Sequence, residues 1–286
     1  MAPALAKKSS RANRSSTAWA RGFIFLGILF LLLLAVQWWR NRQTRFVRYN
    51  EFGIDIPVNY SIHGIDVSRH NGTIDWKEVQ EMNIRGISIR FAFIKATEGI
   101  GSTDPQFKRN WKKSREQGVT RGAYHYFNTG KDGKEQAKNF ITTVGDLETG
   151  DLPPVLDIEV TNGVGNAELQ KEIQEWLDVV EEYYKVKPII YSNVDFYRDH
   201  VGSKFDGYPF WAAHYKEQNQ PRTARNWIFW QHSEEGHVNG IPSDKVDFNV
   251  FNGDVFDFRK LLVNGSAEPV PATPPQQKKP AAKPAP

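Results

Sequence analysis

The 286-residue sequence contains no cysteine, so a disulfide bond, a thiolate nucleophile and a cysteine-ligated metal are all excluded. Acidic residues are missing from the first fifty positions, which carry nine basic side chains. Residues 51–265 instead contain 25 basic and 32 acidic side chains, a net charge of −7. This acidic body argues against a nucleic-acid-binding surface, although the pI of the whole chain is near 9.0.

A long apolar run lies near the N-terminus. Residues 22–39 (GFIFLGILFLLLLAVQWW) are interrupted only by Gln37, and Arg21 and Arg40 bracket them. As a helix this run measures roughly 27 Å, which matches the hydrocarbon core of a lipid bilayer. We predict a transmembrane helix that acts as an uncleaved signal anchor. It would cross the cytoplasmic membrane once, with the N-terminus inside and the following domain outside. A cleaved signal peptide is the alternative.

The C-terminal tail differs in composition from the body of the chain. It contains seven prolines and no aromatic residue, so it cannot bury enough apolar surface to order itself, and we predict disorder. A cationic tether for an anionic envelope polymer is the alternative to a solvated terminus. The predicted division is a basic segment over 1–21, the anchor over 22–39, a linker over 40–60, one domain over 61–265 and the tail over 266–286.

Short β-branched or aromatic runs alternate with helical patterns through the body. The predicted strands are 61–67, 87–96, 122–127, 155–160, 188–192, 208–215, 227–232 and 246–251, and the predicted helices are 105–117, 134–144 and 167–184. This series favours an α/β fold, a TIM-like parallel (β/α) barrel whose last third is poor in helix. An open doubly wound sheet is the alternative, but no G-x-G-x-x-G or P-loop string supports a nucleotide-binding version of it.

Acidic residues fall at the ends of predicted strands, where barrel enzymes place their chemistry. They are Asp66, Asp157, Glu159 and Asp247. Asp157 and Glu159 are two residues apart on one strand, so their side chains project to the same face. Two carboxyl groups so close cannot both ionise freely, and one should have a raised pKa and serve as a general acid. An acidic strand end that merely faces solvent is the alternative interpretation.

Several strings, in this order, resemble one known family. They are His63–Ser68 (HGIDVS), Phe93–Gly99 (FIKATEG), Gly122–Phe127 (GAYHYF), Leu156–Glu159 (LDIE), Trp211–Ala213 (WAA) and Val246–Asn249 (VDFN). Over residues 62–262 the chain resembles glycoside hydrolase family 25, the lysozymes of the muramidase type. The resemblance implies an irregular (β/α) barrel that cleaves the β-1,4 bond between N-acetylmuramic acid and N-acetylglucosamine in peptidoglycan.

The resemblance also implies roles for the four acids. Glu159 resembles the general acid, which then acts as the base toward water if configuration is retained. Asp157 resembles the carboxylate that orients the 2-acetamido group of the substrate. Asp66 is the candidate nucleophile or stabiliser of the oxocarbenium-like transition state, and Asp247 sets the charge and orientation of its neighbours. Whether the nucleophile is a side chain or the acetamide itself is left open.

Aromatic residues at strand ends suit a sugar-binding groove, because pyranose C–H faces pack on rings. The candidates are Tyr124, Tyr126, Tyr191, Trp211 and Trp230. Core packing is the alternative role for each ring. Lys95 and Glu98 are expected to form a structural ion pair. No histidine pair has the spacing of a metal-binding helix, so we predict no metal and no cofactor.

The sequence therefore predicts a membrane-anchored, monomeric muramidase. Its expected partners are peptidoglycan glycan strands and, through residues 22–39, a lipid bilayer, with no nucleic acid. A non-catalytic peptidoglycan-binding barrel and a hydrolase of chitin-like polymers are the alternative functions. Where many members of the family have Trp-Gln after the first serine, this chain has His70-Asn71, which leaves the preference for the peptide stem of the substrate open.

Overall fold

The computed structural model describes residues 14–265, so the predicted tail over 266–286 and most of the basic segment lie outside the described residues. The first helix, α1, extends over Arg14–Arg42 and exposes apolar side chains such as Phe23 and Leu31. Within the described range no helix combines the length and apolar character that crossing a membrane requires. The transmembrane part of the prediction for residues 22–39 is therefore not confirmed.

The elements follow the predicted alternation of strands and helices. The strands are β1 Phe46–Tyr49, β2 Ile54–Pro57, β3 His63–Val67, β4 Asn83–Ile84, β5 Ile87–Glu98, β6 Ser102–Thr103, β7 Thr120–Tyr126, β8 Val155–Asp157, β9 Ile189–Asn193, β10 Phe210–Ala213, β11 Phe229–Gly236 and β12 Val246–Phe251. The further helices are α2 Trp76–Glu81, α3 Phe107–Glu116, α4 Gly133–Val144, α5 Asn166–Tyr184, α6 Val194–Phe196 and α7 Val255–Leu261.

Eight strands close into a barrel in the order β3, β5, β7, β8, β9, β10, β11, β12 and back to β3. This confirms the predicted α/β barrel, and the long helices α3, α4 and α5 all precede β9. One strand departs from the parallel arrangement that the sequence predicted: β12 runs antiparallel to both of its neighbours. The connection over residues 237–245 is too short for the crossover that a parallel strand needs.

Aromatic rings fill the inside of the barrel. Side chains alternate along β5, so that Phe91 and Phe93 point inward while Ala92 and Ile94 join the outer core. Phe93 stacks on Trp211 with ring centroids 4.4 Å apart. The barrel is therefore a packed core, and its open end carries the polar residues.

The helix α3 begins later than predicted. The helix predicted over 105–117 would open at Pro105, but the first helical residue is Phe107. Asp104 accepts hydrogen bonds from the backbone N–H groups of Gln106, at 2.8 Å, and Arg69, at 2.8 Å. This carboxylate thus ties the loop after β3 to the start of α3.

The segment before the barrel is folded, which differs from the linker predicted over residues 40–60. β1 and β2 form an antiparallel hairpin that packs on the outside of the barrel. Phe52 contacts Phe248 of β12, and Phe46 contacts Trp230 of β11, with ring centroids 5.5 and 5.9 Å apart. The contacts remove apolar ring surface of the hairpin and of the barrel from water, which stabilises the folded segment.

We expect Gly64→Ala to destabilise the barrel by about 1–3 kcal/mol, the usual cost of overpacking a core. A Cβ atom at Gly64 would lie 2.5 Å from ring carbons of Phe91. Urea unfolding of the full chain measures the effect. The control is Gly101→Ala, because nothing lies within 4 Å of a Cβ there. Equal unfolding midpoints for both variants would contradict the proposed crowding.

Candidate active site

A cleft of about 250 Å³ opens at the carboxyl ends of the parallel strands, and all four predicted acids line it. Asp66 lies near the end of β3 and Asp157 ends β8. Asp247 lies at the start of β12, and it reaches the same rim because β12 runs in the opposite direction. The structure thus brings together side chains from distant parts of the sequence.

Asp157 and Glu159 enter the same cleft, although β8 ends at Asp157. The backbone beyond Asp157 is still held against β9, because Ile158 forms two hydrogen bonds with that strand. Its N–H donates to the Tyr191 carbonyl at 3.0 Å, and its carbonyl accepts from Ser192 Oγ at 2.7 Å. Asp157 is buried and Glu159 is exposed at the mouth.

One oxygen of Asp66 is held by two side-chain amides. Gln231 Nε2 and Asn249 Nδ2 each donate to Asp66 Oδ2 at 2.7 Å. Burial raises the pKa of Asp66 to about 6, even though both amide donors favour the ionised form. The carboxyl group is therefore fixed in position and close to neutral at mildly acidic pH.

The two amides are themselves oriented by a layer of aromatic side chains. The Tyr191 hydroxyl donates to Gln231 Oε1 at 2.6 Å, and the Tyr215 hydroxyl contacts the same oxygen. Trp211 Nε1 donates to Asn249 Oδ1 at 2.7 Å. Because each amide oxygen is occupied, each nitrogen faces Asp66. Sequence reasoning missed both amides: Asn249 belongs to the string VDFN, and Gln231 follows Trp230.

The remaining acids also have raised pKa values. Burial and the charges of Glu159 and Asp66 raise the pKa of Asp157 well above its ordinary value. Asp157 Oδ1 has no hydrogen-bond partner among the described residues. The surrounding protein also desolvates the Glu159 carboxyl and raises its pKa, although Tyr191 and Lys95 act in the opposite direction.

Asp247 and Asp66 form a pair of neighbouring acids. Their backbones are register partners across β12 and β3, and their carboxyl groups share a hydrogen bond. Burial, followed by the charge of Asp66, raises the pKa of Asp247 to about 9. The pair therefore holds a proton near neutral pH, as two like charges in a shared site must.

Four of the five predicted sugar-binding aromatics line the cleft: Tyr124, Tyr126, Tyr191 and Trp211. Trp230 does not, because its neighbour Gln231 occupies the inward face of β11 and the two side chains alternate. Trp230 is buried on the outside of the barrel, where Nε1 donates to the His214 carbonyl at 2.9 Å. The sequence did not reveal which of the two pointed inward.

Lys95 forms the expected ion pair with Glu98 at 2.7 Å and also lines the cleft, where Nζ lies 4.6 Å from the ring centre of Tyr126. Ser68, Tyr215 and Glu234 also line the cleft and were not identified from the sequence, whereas His70, noted there as a departure from the family pattern, lines it too. The cleft therefore combines cationic, anionic and aromatic surfaces.

One group of three acids among residues 14–265 has oxygens close enough to hold a metal ion: Asp132, Glu172 and Glu175. None of them lines the cleft, and Lys171 pairs with both glutamates. Asp132 also caps α4, and Glu172 accepts a hydrogen bond from the N–H of Gly133 at 2.7 Å, so two of the three acids make structural contacts at the start of α4.

We expect the contribution of Asp66 and Asp247 to the free energy of unfolding to fall as the pH rises from 5 to 8, and Asp247→Asn to gain stability relative to the parent over this range. The native pKa values of Asp66 and Asp247 are raised, to about 6 and about 9, so the folded state holds protons that the unfolded state releases above pH 4. Removing one carboxyl should stabilise the chain at pH 8 by on the order of 1 kcal/mol. Denaturant unfolding at both pH values measures this difference.

The matched control for this experiment is Glu182→Gln, which removes one exposed carboxylate from α5. It should leave the pH dependence of stability unchanged. If Asp247→Asn behaved in the same way, the raised pKa of Asp247 would be wrong.

Comparison with known proteins identifies the family. The model for glycosyl hydrolases family 25 matches residues 65–241. The chain is 49% identical over 211 residues to "Uncharacterized protein YegX" of Escherichia coli K12, covering 74% of this chain and 77% of that one. It is 32% identical over 211 residues to Lysozyme M1 of Streptomyces globisporus, covering 67% and 68%. A solved family 25 glycosyl hydrolase from Bacillus anthracis superposes with a TM-score of 0.65 at 29% identity, covering 74% and 98%. The chain belongs to glycosyl hydrolase family 25.

Proposed function

We propose that this chain is a muramidase, which hydrolyses the β-1,4 bond between N-acetylmuramic acid and N-acetylglucosamine in peptidoglycan. The observation that carries the proposal is the convergence of Asp66, Asp157, Glu159 and Asp247 in one open cleft of a family 25 barrel. Lysozyme M1 is a relative whose name states the same class of activity. Because all four acids come from one chain, a monomeric catalytic domain is part of the proposal.

Glu159 is the general acid in this proposal. It is the exposed member of the cluster, so a glycosidic oxygen in the cleft can reach its carboxyl group. Its raised pKa keeps it protonated closer to neutral pH than an ordinary glutamate. After protonating the leaving oxygen, the resulting carboxylate can accept a proton from the attacking water if the reaction retains configuration.

In this proposal Asp157 binds the 2-acetamido group. Its Oδ1 lacks a hydrogen-bond partner, and a buried acceptor without a partner is costly. A substrate N–H would supply the missing donor and hold the acetamide oxygen near the anomeric carbon. This arrangement supports attack by the acetamide, with the Asp66 carboxyl stabilising the positive charge that develops on the sugar ring.

We expect Glu159→Gln to lower kcat by roughly a hundredfold to ten-thousandfold, the usual contribution of a general acid, while binding of peptidoglycan persists. The full chain and the variant are incubated with peptidoglycan, and new reducing ends are identified by mass spectrometry. Reducing muramic acid ends from the parent alone are the expected result. Glu182→Gln, which removes an exposed carboxylate that does not line the cleft, serves as the control.

Two other results would replace the proposal. If neither protein released products while both bound the polymer, the chain would be a non-catalytic binding barrel. If the parent cleaved a chitin-like polymer of N-acetylglucosamine as readily as peptidoglycan, the muramic acid requirement would be wrong.

The location of the cleft relative to the membrane is a second part of the proposal. Peptidoglycan lies outside the cytoplasmic membrane, so the barrel must be extracytoplasmic to reach it. Attachment through residues 22–39 stays a prediction, supported by the apolar sequence and by the exposed apolar side chains of α1. The short distance along the chain from Arg42 to Phe46 would keep an anchored barrel close to the bilayer.

Deletion of residues 1–42 should move the protein from the membrane fraction to the soluble fraction, because this cut removes α1 and keeps the hairpin β1–β2. Alkaline extraction of membranes should leave the full chain in the pellet, and protease added to spheroplasts should digest the barrel. A full chain that is extracted with peripheral proteins, or a barrel protected from external protease, would refute this location.

A further inference from the structure

A second cleft, larger than the catalytic one, lies between the hairpin β1–β2 and the barrel. Its volume is about 700 Å³, and we call it the hairpin cleft. Arg45, Arg48 and Asp55 line it from the hairpin side, and Lys216, Ser233 and Glu235 line it from the barrel side. The hairpin side precedes residues 65–241, the range that matches the family model.

The two clefts lie next to each other, because consecutive residues of the same segments line one cleft or the other. Tyr215 lines the catalytic cleft, and the next residue, Lys216, lines the hairpin cleft. On β11, Glu234 faces the catalytic cleft while Ser233 and Glu235 face the hairpin cleft. The two clefts are therefore separated by β11 and by the loop that carries Tyr215 and Lys216.

Irregular pairing at the end of β11 creates this shared wall. The register between β11 and β12 shifts between Gln231 and Ser233 and again between Ser233 and Gly236. Such bulges redirect side chains and are frequent next to active sites. At the other end of the cleft, the N–H of Thr44 donates to Asn219 Oδ1 at 2.7 Å, which ties the start of the hairpin to the loop after β10.

Charges of both signs line the hairpin cleft, and of these Glu217 pairs with Arg222 at 2.7 Å. Arg45, Arg48 and Lys216 are exposed cations with no ion-pair partner among the described residues, and the same holds for the carboxylates of Asp55 and Glu235. Arg48 and Asp55 are register partners on the hairpin. A surface with fixed charges of both signs complements a zwitterionic ligand better than a uniform polyanion.

We infer that the hairpin cleft binds the peptide stem of peptidoglycan, a short peptide with free carboxylates and, where it carries a diamino acid, an amine. The inference rests on the proposed muramidase function, because the stem is attached to the muramic acid that must lie in the catalytic cleft. The cations would bind the stem carboxylates, and Asp55 and Glu235 would bind the amine. Substrate carrying stems would then bind more tightly than bare glycan.

The test compares two substrates, glycan strands that carry their peptide stems and the same strands stripped of stems by an amidase. The full chain is compared with Arg48→Gln combined with Lys216→Gln. We expect KM for stem-bearing strands to rise about fivefold to tenfold, as for the loss of two exposed ion pairs, with kcat unchanged. KM for stripped strands should not change.

The control variant combines Lys108→Gln with Lys134→Gln, which removes the same charge at two exposed lysines that line neither cleft and have no ion-pair partner among residues 14–265. It should match the parent on both substrates, and Arg48→Lys with native Lys216 should retain most of the affinity for stems. Thermal melting confirms that each variant is folded.

The outcomes separate the two proposals. If the parent cleaves neither substrate, the muramidase function is wrong. If the parent cleaves both and the double variant loses affinity equally for stem-bearing and stripped strands, or for neither, the peptide-binding role of the hairpin cleft is wrong.

Discussion

Two amide nitrogens bonded to one carboxyl oxygen organise the active site. Gln231 and Asn249 both donate to Asp66 Oδ2, and each amide is oriented from behind by a Tyr191 hydroxyl or a Trp211 indole N–H. The five side chains come from five different barrel strands, so the contact can form only when the barrel is closed. The two hydrogen bonds hold the Asp66 carboxyl group in one position, close to the other three carboxyl groups of the cleft.

Placing these carboxyl groups so close together costs free energy of folding. Like charges directly opposite each other on paired strands are destabilising, yet the register of β12 with β3 places Asp247 beside Asp66. Burial raises the pKa of both groups, and a shared proton relieves the repulsion. Active sites commonly retain such locally unfavourable arrangements because the reaction requires them, and the packed aromatic interior supplies the compensating stability.

The sequence predicted the alternation of strands and helices, and the pairing of Asp157 with Glu159, because both follow from short-range rules. The two-residue period of a strand was enough to place Asp157 and Glu159 in one cleft. It was not enough to decide between Trp230 and Gln231, because either residue of the pair could face inward until the register with β12 was known. The position of Asp247 at the start of a strand, and the folded hairpin β1–β2, depend on contacts between distant segments. The side-chain amides of Gln231 and Asn249 were missed because no sequence motif marks an amide that orients a carboxyl group.

The pairing of β3 with β12 also determines when the barrel can be completed as the chain is made. Asp66 and Asn249 are separated by 183 residues, so the first barrel strand, β3, cannot complete its pairing until the last one, β12, is present. Long-range pairing of this kind is slow, and an unpaired strand edge attracts other chains meanwhile. A nascent chain that has not yet delivered residues 246–251 carries Asp66, Asp157 and Glu159 on an open sheet. All four acids can therefore meet in one cleft only after residues 246–251 have been added to the chain.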